Sequence, residues 1–210
     1  IGRSGVRETV PNSGEGGWAA CLFTSGRGRM NSVMQARINK TKFFAKQRNE
    51  FMEQFDREIL SLIKKASREN KIPCVRLNGT SDLPWENIKF KGESIIKKWN
   101  GLQFYDYTKS LTRIANYADG KLPDNYHLTF SRSENTSDAT VKDVLNRGVN
   151  VAVVYANELP KEDFGVEVLN GDEDDLRFKD PTGKIIGLLY KSTVATPEQW
   201  NGFVRQKGGE

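Results

Sequence analysis

The most concentrated set of reactive side chains in the sequence follows a short apolar run at residues 72–75. The segment RLNGTSD, residues 76–82, contains five hydrogen-bonding or charged side chains: Arg76, Asn78, Thr80, Ser81 and Asp82. Such side chains can bind a substrate or the edge of a nucleobase, and Asp82 could act as a general acid/base or as a nucleophile. The alternative is an Asx or Ser/Thr turn in which Asp82 caps the next helix. We favour a site because Arg76, in a predicted buried strand, requires an acidic partner.

A second group of carboxylates lies in the segment NGDEDDLRFKDPTG, residues 170–183. Asp172 or Asp175, brought opposite Asp82, would form a carboxylate pair, and these three are the predicted catalytic residues. The consecutive acids at 172–175 could also bind a divalent ion. Arg177 alternates with Asp175 in a predicted strand and would pair with an acid near the site. For the middle acids a solvated loop is the better interpretation.

Polar and aromatic side chains also mark the ends of two other predicted strands. Tyr105 and Tyr107 share one face of a strand at 101–109, and Lys109 follows them. Tyrosine rings can stack on bases and a lysine can hold a phosphate, although packing of the rings under helices is an equally good interpretation. Ser131 and Ser133 lie at the same end of a strand at 126–133. The predicted substrate-binding set is therefore Arg76, Asn78, Thr80, Ser81, Tyr105, Tyr107, Lys109, Ser131, Ser133 and Arg177.

Basic residues are concentrated near the start of the chain. Seven cations and no acid occur from Arg27 to Arg48, next to the glycine-rich segment TSGRGRM at 24–30. Backbone amides freed by glycine before a helix can hold a phosphate; the alternative is a flexible basic loop. We predict that Arg27, Arg29, Arg37 and Lys40 contact nucleic acid.

Composition narrows the possible chemistry. The single histidine, His127, and the two cysteines, Cys21 and Cys74, are too few for a zinc cluster, a Cys/His site or a disulfide scaffold. We therefore expect no cofactor in this chain. No apolar run approaches the length of a membrane span, so we expect no membrane partner. The net charge of +5 is compatible with nucleic acid as a partner.

The elements that must position these residues alternate along the chain. Predicted strands at 72–79, 101–109, 126–133 and 150–157 alternate with helices near 84–99, 109–118 and 136–147. The polar ends of these strands would meet at the C-terminal edge of a parallel sheet. A full (βα)8 barrel usually needs about 250 residues. We therefore predict an α/β fold that forms a short or incomplete (βα) barrel.

The two ends of the chain differ from this alternating region. Apolar residues at helical spacing predict an N-terminal helical region at 32–70, preceded by a flexible arm at 1–17. Antiparallel strands are predicted near the C-terminus, at 165–170, 176–180 and 184–191, with a hairpin turn at 181–184. We expect residues 18–210 to form a single domain.

The long motifs ACLFTSGRGRM, VRLNGTSDLPWE, QFYDYTK, NYHLTFSRSE, NVAVVY and GDEDDLRFKDPTGKIIGL occur between residues 18 and 190. Over this range the chain resembles the phage and plasmid gene product 88 family, whose members are described as rolling-circle-replication-associated. The resemblance implies a mobile element and a bacterial cytoplasm. It also implies a cysteine-rich stretch before the position of Cys21, which would supply an iron–sulfur or zinc site in a chain that has it. This chain keeps only Cys21.

Two functions follow from these observations. The first is an enzyme that modifies nucleic acid, for example by base exchange of the transglycosylase type, with one carboxylate attacking the sugar and the other acting as acid/base. The second is a non-catalytic factor that binds nucleic acid or a protein, such as a replication accessory or an inhibitor of host defence. We expect DNA rather than RNA as the nucleic acid.

Overall fold

The structure is a computed structural model that describes residues 30–191, 200 and 202–206. The helices are α1 (Asn31–Lys46), α2 (Arg48–Arg68), α3 (Ile95–Lys98), α4 (Leu111–Ala118) and α5 (Asp138–Asn146). The strands are β1 (Cys74–Arg76), β2 (Lys89–Phe90), β3 (Glu93–Ser94), β4 (Gln103–Thr108), β5 (Tyr126–Ser131), β6 (Val151–Tyr155), β7 (Glu162–Asp163), β8 (Val166–Asn170), β9 (Ile185–Leu189) and β10 (Val204–Arg205). A short 3-10 helix covers Arg177–Lys179.

One sheet organises the molecule. Its strand order is β1-β4-β5-β6-β9-β8-β7, and β10 also pairs with β6. Every pairing in this sheet is parallel except that of β7 with β8. The sheet does not close on itself. The predicted α/β class and the incomplete barrel-like fold are therefore confirmed.

One face of this sheet carries the main core, and we call it the helix face. In neighbouring parallel strands, paired residues point to the same side of the sheet. The helix face therefore includes Phe104, Leu128, Val151 and Ile185, which are all fully buried. Helices α2, α4 and α5 pack their apolar residues against them. Burial of each such side chain stabilises the fold by about 1.5–3 kcal/mol. The helix face thereby holds the sheet in register.

The other side, which we call the opposite face, is contacted by the segment that connects β8 to β9. Residues 171–180, here called the acidic loop, contact it: Phe178 packs its ring 5.5 Å from that of Tyr105. Residue 171 of this loop must be a glycine, because a Cβ there would lie 2.5 Å from Cγ2 of Ile186. A smaller cluster of Trp200, Phe203 and Val204 packs near Val154.

The predicted helix at 84–99 is wrong over most of its length. The chain instead forms the antiparallel hairpin of β2 and β3, and only α3 is helical. Lys91 and Gly92 connect the two strands with φ of 53° and 96°. Two consecutive residues in the left-handed region are the geometry of a tight hairpin turn, which the helical pattern concealed. Ser94 then caps α3 by accepting a hydrogen bond from the Lys97 amide.

The C-terminal strands also differ from the prediction in detail. Antiparallel pairing occurs between β7 and β8, whereas β8 and β9 are parallel. The predicted strand at 176–180 is the 3-10 helix, so the predicted hairpin turn at 181–184 does not form. Parallel neighbours need a crossover connection, and the acidic loop supplies it across the opposite face.

The predicted N-terminal helical region is two helices with a break at Gln47. Helix α1 has no buried residue and rests on the rest of the protein through Phe43 and Phe44. Both rings lie close to Phe51 of α2, at centroid distances of 5.5 and 5.1 Å, and Phe44 also meets Trp85 at 5.7 Å. The predicted arm at 1–17 lies outside the described residues.

Candidate functional site

Asn78 organises the turn that follows β1. Its side-chain oxygen accepts hydrogen bonds from Ser81 Oγ at 2.8 Å, the Leu83 amide at 3.0 Å and Trp85 Nε1 at 3.2 Å. Asn78 is only 2% exposed, and Thr80 is half-buried in the same turn. The polar residues of this segment therefore satisfy one another, as an Asx-type turn does, and they fix the path of the chain into the core.

Asp82 belongs to a partly buried ion pair. One of its oxygens pairs with Nη1 of Arg113 on α4, and the other accepts from Thr108 Oγ1 at 3.0 Å and from the Lys109 amide at 2.8 Å. Glu86 accepts from two further donors of Arg113, from Nε at 2.8 Å and from Nη2 at 3.0 Å. The Asp82 side chain is 14% exposed and that of Arg113 only 7%. This arrangement ties the end of β4 to α4.

A buried carboxylate on the helix face extends the same network. Asp106 is 0% exposed and accepts hydrogen bonds from the Asn78 amide at 2.6 Å and from Tyr126 Oη at 2.6 Å. Nη2 of Arg113 in turn donates to Tyr126 Oη at 2.7 Å. Burial raises the pKa of Asp106 to about 6, although these donors and Arg113 oppose the rise. The network joins β1, β4, β5 and α4 beneath the C-terminal edge of the sheet.

Sequence reasoning missed Asp106, Arg113, Glu86 and Tyr126 as members of this network. Asp106 lies two residues after Phe104 and two before Thr108 in β4, so all three side chains share one face of the strand. This spacing predicts that Asp106 points into the core. Arg113 stands one turn before Tyr117 on α4, next to the buried Ile114. A charged residue on the apolar side of a short helix is the signal that could have found it.

A separate group of polar side chains lies on the opposite face, with three donors around one carboxylate. We call it the Arg76 cluster, and it consists of Arg76, Tyr105, Tyr107 and Asp175. Arg76 Nη1 donates to Asp175 Oδ2 at 2.8 Å. Tyr107 Oη donates to Asp175 Oδ1 at 3.2 Å, and Tyr105 Oη lies 3.5 Å from Oδ2. Asp175 is thus the acidic partner that Arg76 requires, and all three donors converge on one carboxylate.

The two tyrosines of the Arg76 cluster remain protonated. Burial, followed by the charge of Asp175, raises the pKa of Tyr105 to about 12. The same causes raise the pKa of Tyr107 well above its usual value. Both hydroxyls can therefore donate hydrogen bonds at neutral pH, and the cluster has the character of an anion site.

Other acids of the acidic loop hold the loop itself. Asp172 accepts from the Leu189 amide at 2.9 Å and pairs with Lys191 Nζ at 2.8 Å. Burial favours a higher pKa for Asp172, but these two hydrogen bonds outweigh it and lower the pKa. Arg177, 2% exposed, pairs with Asp174 and Asp180 on either side of the 3-10 helix. Asp172 and Arg177 therefore serve the loop's conformation.

His127 also lies on the opposite face, paired in register with Tyr105. Its Nδ1 is 2.9 Å from Tyr117 Oη. Burial, with a smaller contribution from the charge of Arg177, lowers the pKa of His127 to about 4. The ring is therefore neutral at physiological pH and packs as part of the fold.

The structure separates the predicted catalytic carboxylates. Asp82 bonds to Thr108, whose side chain is on the helix face, whereas Asp175 bonds to Tyr107 on the opposite face. Successive residues of a strand point to opposite sides, so β4 stands between the two acids. Asp172 is engaged with Lys191 instead. No pair of these acids shares a partner in the described part of the chain.

The remaining predicted substrate residues lie at the C-terminal edge of the sheet. Lys109 Nζ is 5.3 Å from the centre of the Phe203 ring. Ser133 Oγ is 3.0 Å from Thr136 Oγ1, and Ser131 ends β5, half-buried. Lys109 follows β4, the strand of Tyr105 and Tyr107, but lies beyond its end, whereas Ser131 and Ser133 lie at the end of β5. The single predicted site is therefore divided between the edge and the two faces.

Helix α1 presents its lysines to solvent. Lys40, Lys42 and Lys46 are exposed, and none of them forms a salt bridge with a described residue. Arg37 is half-buried on the side of α1 that faces the protein, so Lys42 and Lys46 rather than Arg37 extend the outer surface. Arg27 and Arg29 lie outside the described residues. We call Lys40, Lys42 and Lys46 the α1 lysines. At about 100° per residue, Lys42 and Lys46 lie on one side of the helix with Gln35 and Asn39, whereas Lys40 lies on another side.

Other features of the described chain set limits on the site. No group of three or more His, Cys, Asp or Glu side chains within 30–191, 200 and 202–206 is arranged to hold a metal ion. None of the helices in these ranges is both long and apolar enough to cross a membrane.

Comparison with known proteins identifies one related family. The model of the family described as gene product 88 matches residues 6–207. No curated protein and no solved structure matches the chain. The match covers the α1 lysines, the buried network and the Arg76 cluster.

Proposed function

The chain belongs to the gene product 88 family, and on this premise we propose that it is a phage-type protein that binds nucleic acid without modifying it. The observation that carries the proposal is the exposure of the α1 lysines. The three lysines have no ion-pair partner among the described residues, and the sequence contains no acid from residue 27 to residue 48. Exposed cations without an ion-pair partner are free to contact phosphates.

The spacing of the lysines suits a nucleic-acid backbone. Lys40 and Lys46 are separated by about 9 Å along the helix axis, at 1.5 Å per residue. A duplex carries one charge per about 1.7 Å of its axis, so each lysine can meet a different phosphate. Gln35 and Asn39 add neutral hydrogen-bonding groups on the side of Lys42 and Lys46, which can contact sugar or phosphate oxygens without repelling them.

Base exchange is less well supported than binding. Its chemistry needs two carboxylates that reach one sugar. Asp82 is occupied by Arg113, Thr108 and the Lys109 amide, and Asp175 is occupied by Arg76 on the other side of β4. These contacts favour structural and binding roles for the two acids.

The test is a titration of fluorescently labelled 20-nucleotide single- and double-stranded DNA and RNA, followed by anisotropy. Three phosphate contacts should lower affinity for single strands about 20-fold, and for duplexes about 40-fold, between about 50 and 200 mM salt. Comparison of the four ligands establishes whether DNA is preferred to RNA. Absence of binding to all four at the lower salt concentration would overturn the proposal and direct attention to an acidic protein partner.

A further inference from the structure

The Arg76 cluster has the composition of a phosphate site. A guanidinium and two tyrosine hydroxyls approach a single carboxylate at 2.8, 3.2 and 3.5 Å. Arginine and hydroxyl donors are also the usual ligands of a phosphate. The Asp175 side chain is 46% exposed and that of Arg76 is 25% exposed. An anion from solvent can therefore reach the position that the carboxylate now occupies.

Arg76 is held in place independently of Asp175. Its Nε donates to the Asn78 carbonyl at 3.1 Å, and its guanidinium lies 4.6 Å from the centre of the Tyr107 ring. A guanidinium stacked on an aromatic ring loses little conformational freedom when it binds an anion. Removal of the carboxylate would therefore leave the donors near their present positions.

Asp175 can leave the cluster without unfolding the acidic loop. Asp172 anchors the start of the loop to Leu189 and Lys191. Asp174 anchors the next turn by accepting from the Leu176 amide at 2.7 Å. Rotation of the Asp175 side chain breaks only its own contacts, and ion pairs that are partly exposed hold weakly.

We propose that Arg76, Tyr105 and Tyr107 form a phosphate subsite and that the Asp175 carboxylate occupies it as an internal competitor, which a backbone phosphate of nucleic acid displaces. The identity of the ligand rests on the proposed nucleic-acid function. The subsite lies on the opposite face of the sheet and is formed by β1 and β4, so it is separate in sequence from the α1 lysines. Occupancy by Asp175 weakens binding, because the incoming phosphate must break the ion pair between Asp175 and Arg76.

The decisive variant is Asp175→Ala, and Glu173→Ala is its matched control. Both remove one negative charge from the acidic loop, but Glu173 is exposed, and its side-chain hydrogen bond within the described part of the chain is from Asn170 Nδ2, at 3.2 Å. Loss of the competitor should tighten binding of labelled single-stranded DNA about three- to five-fold, the value of a partly exposed ion pair. The salt slope should change by less than about 0.7, the value of one phosphate contact, because the phosphate displaces Asp175 in wild type and makes the same contact there. Glu173→Ala should change the affinity less than about two-fold, through general electrostatics alone.

Arg76→Gln in the Asp175→Ala background gives the second readout. It should return the affinity to the wild-type value or below, while circular dichroism and thermal unfolding confirm that each variant is folded. Equal effects of Asp175→Ala and Glu173→Ala would overturn the subsite and leave the proposed function intact.

The subsite can also be tested if no nucleic acid binds at all. Inorganic phosphate is then titrated into wild type and Asp175→Ala, and amide chemical shifts of β1 and β4 are followed by NMR. Saturable shifts at Tyr105 and Tyr107 in Asp175→Ala, weaker in wild type, support the subsite. Their absence from both proteins overturns it.

Discussion

The substitution Asp82→Asn distinguishes a catalytic role for Asp82 from a structural one. A catalytic aspartate would lose activity on this change while the fold remained stable. The structure instead predicts a loss of stability, because Asp82 neutralises Arg113, whose side chain is only 7% exposed. An asparagine keeps the shape of the carboxylate but directs an amide NH2 either at the guanidinium or at the donors Thr108 and Lys109.

The magnitude follows from the partners that remain. Removal of one member of a buried ion pair costs about 3–5 kcal/mol when the other charge is left uncompensated. Glu86 still pairs with Arg113, at 2.8 Å from Nε, so the charge is partly balanced. We therefore expect the free energy of unfolding to fall by about 2–3 kcal/mol. For a chain of this size that corresponds to a fall in Tm of about 5–10 °C.

Urea denaturation followed by tryptophan fluorescence measures the loss. The matched control is Asp143→Asn, which breaks an ion pair with Arg147 on the surface of α5, where the Asp143 side chain is 68% exposed. That change should cost less than about 0.5 kcal/mol. If Asp82→Asn is as mild as the control, the buried network does not stabilise the protein and the structural role assigned to Asp82 is refuted.

Two further changes test the opposite face. His127, with a pKa lowered to about 4, should contribute stability above pH 6.5 that is lost as the pH falls towards 4, because the unfolded state then binds the extra proton; the total is about 2–3 kcal/mol. The comparison is between wild type and His127→Gln, measured by urea denaturation from about pH 4 to 7. Asp106, with a pKa raised to about 6, changes stability in the reverse direction but equally in both proteins, so the difference between them reports the histidine alone. A difference independent of pH would contradict the buried, neutral state of His127. Gly171→Ala would place a Cβ 2.5 Å from Ile186 Cγ2 and should destabilise the protein by about 1–3 kcal/mol. Gly101→Ala, which meets nothing within 4 Å, is the control, and equal effects of the two glycine changes would contradict the packing of the acidic loop.

The alternating region of the fold was predictable because its local patterns agree with its tertiary packing. The strand at Gln103–Thr108 alternates between the two faces, and the helices Leu111–Ala118 and Asp138–Asn146 start after Ser110 and Ser137, whose side chains cap them. Such signals lie within a few residues of each other. The turn at Lys91 and Gly92 was missed because a lysine with positive φ is uncommon.

The site was less predictable because its contacts join distant segments. Arg76 and Asp175 are 99 residues apart, and Asp82 and Arg113 are 31 apart. The sequence indicated that Arg76 needs an acid and that Asp175 belongs near the strand ends, but not that the acidic loop crosses the opposite face. Strand polarity alone cannot tell which side of a strand a following loop will cover. The sequence therefore predicted that Asp82 and Asp175 would lie on the same side of the sheet, whereas the structure has one acid on each side of β4.

Nucleic-acid binding through α1 is tested most directly by the salt dependence of affinity in two charge-matched triple variants. One replaces Lys40, Lys42 and Lys46 by Gln, and the other replaces Lys64, Lys97 and Lys142, which are also exposed but lie on other helices. Each removes three positive charges. We predict that the slope of log affinity against log salt for single-stranded DNA falls by about 2 in the α1 variant and by little in the other, since each lost phosphate contact removes about 0.7. Equal slopes for the two variants would contradict it.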